Sequence, residues 1–316
     1  SQSAIELMLE HADPILKHTY LHKMVSGEWT TTMNLTEPQA GSDLSLLRTK
    51  AVKEGDYYRI SGQKIYISGG DHDLSDNIVH LVLARLPDAP PGNRGISLFL
   101  VPKYLVRENG ELGDKNDLRP ISLETKLGIH GNPTCVMSYG ENTGAIGYLI
   151  GKENQGLAGM FTMMNLARLM VGLQGVAITE RAYQQALAYS KDRLQGSRSN
   201  SSNASNPAPI VHHPDVKRML LDMKCIAEAG RCLTLYAAYC IDLSKRHADA
   251  ATRQIFSDRL SLLTPVVKAW ITDRAIECAS TGIQVHGGLG YIEDTGAAQH
   301  LRDARIMAIY EGTNGI

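Results

Sequence analysis

The sequence predicts an α+β multidomain fold, and three observations carry it. A helical periodicity ends at Gly27, a β-rich stretch runs from Trp29 to about Tyr139, and long helical patterns fill most of the chain beyond Gly151. The division expected is 1–28 for the end of an N-terminal helical region, 29–150 for a middle β domain and 151–316 for a C-terminal helical domain.

In the first segment Ile15, Leu16, Tyr20, Leu21, Met24 and Val25 recur at helical spacing before Gly27 closes the helix. The chain begins inside an apolar helical pattern (Ile5, Leu7, Met8) and stops three residues after Thr313, so it reads as a piece of a longer protein. In the second segment Tyr58 to Ile67 alternates, Ile78 to Ala84 and Ile96 to Val101 are short apolar runs, and Lys53-Glu54-Gly55-Asp56 supplies a hairpin turn. Strands without long helices between them suggest an antiparallel barrel or sandwich.

The third segment predicts a helix from Gly156 to about Leu194, over ~50 Å long at ~1.5 Å per residue. A second helix starts at Pro214, a favourable first-turn residue, and runs to about Ser244. A third covers about Thr252 to Val285 with a kink expected at Pro265, and a shorter fourth precedes Glu311. Short connections between long helices make a bundle. Gly196 to Asn206 is a low-complexity loop, and its Asn200 and Asn203 head glycosylation-type triplets that carry no weight without a secretory signal.

Across 316 residues, 43% hydrophobic and 21% charged content describes a globular protein, and 32 basic against 33 acidic residues give no global field for nucleic acid or anionic membrane. The N-terminus lacks a signal pattern and no run approaches about 18 apolar residues, so a soluble, cytoplasmic protein is expected. Five cysteines without a CxxC pair suit a reducing compartment. Cys225, Cys232 and Cys240 fall seven and eight apart, which predicts a buried helix face, and no metal site is expected.

The Rossmann, P-loop, zinc-protease and nucleophile-elbow signatures are missing. Gly287-Gly288-Leu289-Gly290 follows a helix where a dinucleotide fingerprint follows a strand. Thr36 to Asp43 joins hydroxyls to glycine and proline in a turn, either an ordinary loop or a set of donors for an anionic or heteroaromatic ligand. Gln63 to Gly70 ends a strand and sets an aromatic beside a hydroxyl, which suits a flat ring equally well. Glu311, beside Gly312 at the end of a helical segment, is on its own either a general base or a solvated turn residue.

Together these segments resemble the acyl-CoA dehydrogenases. LTEPQAGSD (35–43), GQKIYISGG (62–70), Arg168 in LARLMVGLQG, QVHGGLGY (284–291) and RDARIMAIYEGT (302–313) occur in family order. EWTTTMNLTEPQAGSDL, TKLGIHGNPTCVM and EGTNGI are most similar to the large bacterial branch that includes 3-(methylthio)propanoyl-CoA dehydrogenase. The resemblance implies the acyl-CoA dehydrogenase fold: a helical N-terminal domain, here partial, a middle antiparallel β-barrel and a C-terminal four-helix bundle, with FAD between barrel and bundle.

By the same resemblance Met33, Leu35, Thr36, Gly41 and Ser42 line the flavin on one side, Ser42 also reaching the pyrophosphate or the CoA. Tyr66, Ile67 and Ser68 cover the other edge, Tyr66 replacing the commoner tryptophan and Ser68 the commoner threonine. Gln284, Gly287 and Gly288 touch the adenine half, and Thr313 the ribityl-phosphate region. Arg193 and His213 match contacts from a neighbouring subunit of a homo-oligomer, dimer or tetramer, although the arginine motif is one residue short and Pro214 replaces a glutamine. Gly315 stands where relatives carry another glutamine.

For chemistry the resemblance implies that Glu311 is the base that takes the α-proton of an acyl-CoA thioester while the β-hydrogen leaves as hydride. Asn165, Arg168 and Gly312 border the substrate or brace the catalytic loop, and Ala167 occupies the position where some relatives place the base instead. Met160, Met163 and Met164 contribute to acyl-chain depth. The implied electron acceptor is an electron-transferring flavoprotein, with an acyl-CoA oxidase and a flavin-bearing DNA-binding relative as alternatives. An aspartate at the base position would have marked a nitroalkane-oxidase-like branch, and this chain has Glu311.

Overall fold

The computed structural model describes residues 2–197 and 207–315. Most of the low-complexity loop, with Asn200 and Asn203, lies outside the described residues. Two compact units form, one from residues 1–126 and 130–166, the other from 127–129 and 167–316. The division between these compact units falls within the long helix near Leu166, whose first turns belong to the core of the sheet unit.

The first unit opens with α1 (Gln2–His11), α2 (Pro14–Leu16), a π-turn over Lys17–Leu21 and α3 (His22–Ser26). Asp13 caps α2 by accepting the Leu16 N–H at 2.8 Å with Pro14 in the first turn, and Gly27 ends α3 at φ 83°. The strands follow: β1 (Trp29–Asn34), β2 (Lys50–Glu54), β3 (Tyr57–Ser68), β4 (Asn77–Arg85), β5 (Ile96–Pro102), β6 (Tyr104–Val106), β7 (Leu112–Lys115), β8 (Leu118–Leu123), β9 (Thr134–Tyr139) and β10 (Ala145–Ile150). The main sheet runs β1-β4-β5-β10-β3-β9-β8, with β2 pairing both β3 and β4, and β6 and β7 form a separate ribbon.

The all-antiparallel expectation needs correction: β1 runs parallel to β4, from Trp29 opposite Asn77 to Asn34 opposite Val82. A parallel neighbour needs a long crossover, and here residues 35–76, carrying β2 and β3, supply it. The expected hairpin does form, with Glu54 opposite Tyr57 and Gly55 at φ 60° in the two-residue loop. β4 and β5 are apolar on both faces because both faces are covered. One face packs with Leu7 and Met8 of α1 and with Met160 and Met163, and the other surrounds Tyr58, Ile60 and Phe99.

Helix α4 (Gly156–Asp192) passes from the first unit into the second, where α5 (Pro214–Arg246), α6 (Ala250–His286) and the short α7 (Ala297–Arg305) complete the helical set. α6 continues through Pro265 without a break in assignment. Pro265 removes the helical donor to the Ser261 carbonyl, and both residues are exposed, where such a loss is tolerated best. Gly172 and Gly175 let α4 lie against α6, since a Cβ on them would stand 2.5 Å from Val267 Cγ1 and 2.8 Å from Ile271 Cγ2.

Two further expectations change. Cys225 and Cys232 are exposed while Cys240 is buried, because the inward stripe of α5 runs through Leu220, Met223, Ala227, Gly230, Ala237 and Cys240. Cys225 sits two residues from Met223, on the opposite side of a 3.6-residue turn. In addition α4 contains an 18-residue window of mean hydropathy 1.3, long and apolar enough to cross a membrane by length and composition, a test that buried core helices also pass.

Candidate active site

The second unit builds its site on the loop after α7. A 3₁₀ turn over Ile306–Ala308 leads into Tyr310-Glu311-Gly312, where Glu311 takes φ 56° and Gly312 φ 94°. A left-handed glutamate is costly and persists only where its surroundings hold it. Arg168 of α4 donates from Nε to the Glu311 carbonyl at 3.0 Å, and Tyr310 donates its hydroxyl to Gln174 Oε1. From α6, Lys268 Nζ donates to Gly312 O at 2.5 Å and to Asn314 Oδ1 at 2.7 Å.

The Glu311 carboxylate is the electrostatic centre of the loop. Its Oε2 is buried without a hydrogen-bond partner among the described residues. Burial pushes its pKa up to about 7, against the opposing pull of the Arg168 guanidinium and the Lys268 ammonium. Burial likewise pushes Lys268 down to about 8, partly countered by Glu311. Near neutral pH the pair therefore holds a carboxylate poised to take a proton beside a cation. Among the described residues no acceptor takes the Glu311 N–H.

The other residues predicted in this unit spread around its surface. Gly287 ends α6 at φ 61°, and a Cβ on Gly287 or Gly288 would meet nothing within 4 Å, so their backbone is open to a ligand. Gln284 is exposed, and Thr313 is half-buried beside Glu311. Arg193 is exposed at the neck of the low-complexity loop, where its carbonyl accepts the Ile210 N–H at 2.9 Å. The His213 ring is engaged with Gln195 O at 2.7 Å.

In the first unit the predicted residues gather on β1, its following turn and the end of β3. Ile65 N donates to Thr36 O at 2.9 Å, which ties the two segments together. A bulge shifts the β3–β9 register between Lys64 and Ile67, putting Tyr66 at φ 61° with its ring 63% exposed. Ser68, Gly41 and Ser42 are exposed, and Met33 and Thr36 are half-buried. Ile67 points the other way, into the sheet core with Cys135 and Met137, and Leu35 is also buried, so the side chains of these two pack inward. Asn165, in the same unit, is exposed on α4.

Sequence reasoning missed what holds these segments. Lys64 is fully buried and donates to Leu35 O at 2.9 Å and to Glu37 Oε1 at 2.9 Å, fixing the turn that carries Thr36. Glu37 also accepts from Thr49 Oγ1 at 2.6 Å and from the N–H groups of Arg48 and Thr49. Burial alone would raise its pKa, but Lys64 and these donors hold it below the ordinary range. Lys268 and Asn314 were missed as well. The available signal for Lys268 was a single lysine within the apolar run Leu262 to Ile271.

In the first unit the open backbone at Gly41, the outward aromatic Tyr66 and the Ser68 hydroxyl beside it suit a flat flavin ring, and in the second the open backbone at Gly287 and Gly288 suits a nucleotide. The model for the acyl-CoA dehydrogenase C-terminal domain matches residues 154–316, and that for the middle domain matches 32–141. The chain is 52% identical over 317 residues to 3-methylmercaptopropionyl-CoA dehydrogenase of Ruegeria pomeroyi, covering 100% of this chain and 53% of that protein. It is 40% identical over 323 residues to a butyryl-CoA dehydrogenase of Syntrophomonas wolfei, again 100% and 53%. It thus spans about half the length of these relatives. The butyryl-CoA dehydrogenase structure from Megasphaera elsdenii superposes with a TM-score of 0.78 at 26% identity, covering 98% of this chain and 72% of that one. With family models matched across both units, the chain belongs to the acyl-CoA dehydrogenase family.

Proposed function

We propose that the protein is an FAD-dependent acyl-CoA dehydrogenase, forming a trans-2-enoyl-CoA from an acyl-CoA thioester, with Glu311 as the base. The observation that carries this is a buried carboxylate with an unpartnered oxygen and a pKa pushed up to about 7. An acyl-CoA α-proton is weakly acidic, so its removal needs a desolvated base and a polarised thioester carbonyl. Glu311 Oε2 takes the proton, the Glu311 N–H donates to the thioester oxygen, and Arg168 holds the carbonyl of the same residue. When bound, FAD supplies the acceptor for the β-hydride.

Met33, Thr36, Gly41, Ser42, Tyr66 and Ser68 in the first unit and Gln284, Gly287, Gly288 and Thr313 in the second are the proposed cofactor contacts, with Leu35 and Ile67 contributing through their backbone. Arg193 and His213 are assigned to the cofactor of a neighbouring copy in a homo-oligomer, and Asn165 and Gly312 to the substrate. The similarity to 3-methylmercaptopropionyl-CoA dehydrogenase makes a short, sulfur-containing acyl-CoA the first substrate to test, with an electron-transferring flavoprotein as acceptor in a cytoplasmic setting.

The intact protein should purify yellow and bleach anaerobically with one member of a panel of short, branched, sulfur-containing and long acyl-CoAs. Rapid peroxide formation in air would reassign it as an oxidase. A flavin-loaded protein that no acyl-CoA bleaches would overturn the proposal.

A further inference from the structure

Glu311 and Gly312 form a consecutive left-handed pair, and the bonds that hold it come from two directions. Arg168 approaches from α4 and fixes the Glu311 carbonyl. The next peptide is held from α6: Lys268, only 4% exposed, donates to Gly312 O at 2.5 Å and to Asn314 Oδ1 at 2.7 Å. Asn314 in turn donates from Nδ2 to Thr272 Oγ1 at 2.9 Å, Asp273 Oδ1 at 2.9 Å and Ala269 O at 3.2 Å, while its N–H reaches Ala308 O at 3.0 Å. Thr272 closes the circuit by donating to Lys268 O at 2.7 Å. α6 thus grips the loop through a connected side-chain network from Lys268, Thr272 and Asp273 to Asn314.

We infer that Lys268 and Asn314 are positioning residues: they clamp the Glu311 loop onto α6, and the Lys268 ammonium supplies a buried positive charge that favours the ionised base. This rests on the reading of Glu311 as the base. The charged and titratable groups facing Glu311 are Arg168 from α4, Lys268 from α6 and the neighbouring Tyr310, while Asp273 of α6 acts on Lys268. Burial pushes the Lys268 ammonium down to about 8, so its charge is conditional near working pH. The clamp also gives the loop a fixed N–H direction, which a donor to a developing oxyanion needs.

The test uses the intact flavin-loaded protein, with Glu311 followed by isotope-edited infrared titration, its band assigned by disappearance in Glu311→Gln. Lys268→Met should raise the Glu311 midpoint by roughly one pH unit, because a stabilising cation is lost. It should also speed amide exchange across residues 309–314 by about tenfold. Lys268→Arg should keep the midpoint near that of the parent. Asn314→Ala retains the charge and should accelerate exchange, so it carries the clamp test even if Lys268→Met does not fold, and Lys268→Gln then carries the charge test. An unchanged midpoint in the neutral variants overturns the charge role, and unchanged exchange in both Lys268→Met and Asn314→Ala overturns the clamp. Neither readout needs turnover: failure of the parent to bleach with acyl-CoA would sink the dehydrogenase reading and leave these outcomes interpretable.

Discussion

Arg168 Nε holds the main-chain carbonyl of Glu311 at 3.0 Å while Glu311 Oε2 stays buried without a partner among the described residues. The backbone is fixed by a strong donor and the side chain is left unsatisfied, which is how a base is kept available for a substrate proton.

Replacing Glu311 with Gln should therefore preserve flavin content and lower the rate of flavin reduction by about 10²–10⁴-fold, the usual worth of a positioned base. The parent rate should rise with pH and reach half its plateau near pH 7, since Glu311 must be ionised to act. Stopped-flow reduction of both proteins across pH 5–9 (roughly the range over which such groups titrate) checks this, and a pH limb that survives in Glu311→Gln would remove the assignment.

The same carboxylate predicts a stability effect of definite sign. Its folded pKa of about 7 lies above the ordinary 4.5, so between these values the folded state holds a proton that the unfolded state has released. Stability contributed by this group is present at low pH and is lost as pH rises through the folded value. Glu311→Gln lacks the term, so its stability relative to the parent should be greater at pH ~8 than at pH ~5 in denaturant unfolding. An equal or reversed difference would contradict the buried state of the carboxylate.

Lys64→Met should destabilise the first unit by about 3–5 kcal/mol, because Glu37, 3% exposed, keeps its charge and loses its cation. Adding Glu37→Gln should recover part of the loss, since the acceptor oxygen for Thr49 remains while the buried charge goes. Chemical denaturation of the single and double variants measures it, and a neutral single variant would show that the ion pair does not anchor the turn carrying Thr36.

Gly172→Ala should cost about 1–3 kcal/mol, as an added methyl would stand 2.5 Å from Val267 Cγ1 and force α4 and α6 apart. Because Val267 precedes Lys268, reduced activity should accompany the loss of stability. A thermal melt unchanged from the parent would mean that this helix contact is looser than the structure has it.

The positions that sequence alone made legible are those whose identity is set locally. Gly27 and Gly287 end helices at positive φ, Pro214 starts one, and the Glu54-Gly55-Asp56 turn forms as its residues dictate, because each depends only on neighbours in the chain. The family was also readable, since five segments in a fixed order specify it. Only the tertiary structure decided that β1 lies parallel to β4, that the bulge turns Tyr66 outward while Ile67 goes inward, that Cys225 and Cys232 face solvent, and that Lys64, Lys268 and Asn314 hold the loops. These depend on partners tens to hundreds of residues away, and burial among those partners is what moves the Lys268 ammonium down to about 8 and the Glu311 carboxylate up to about 7.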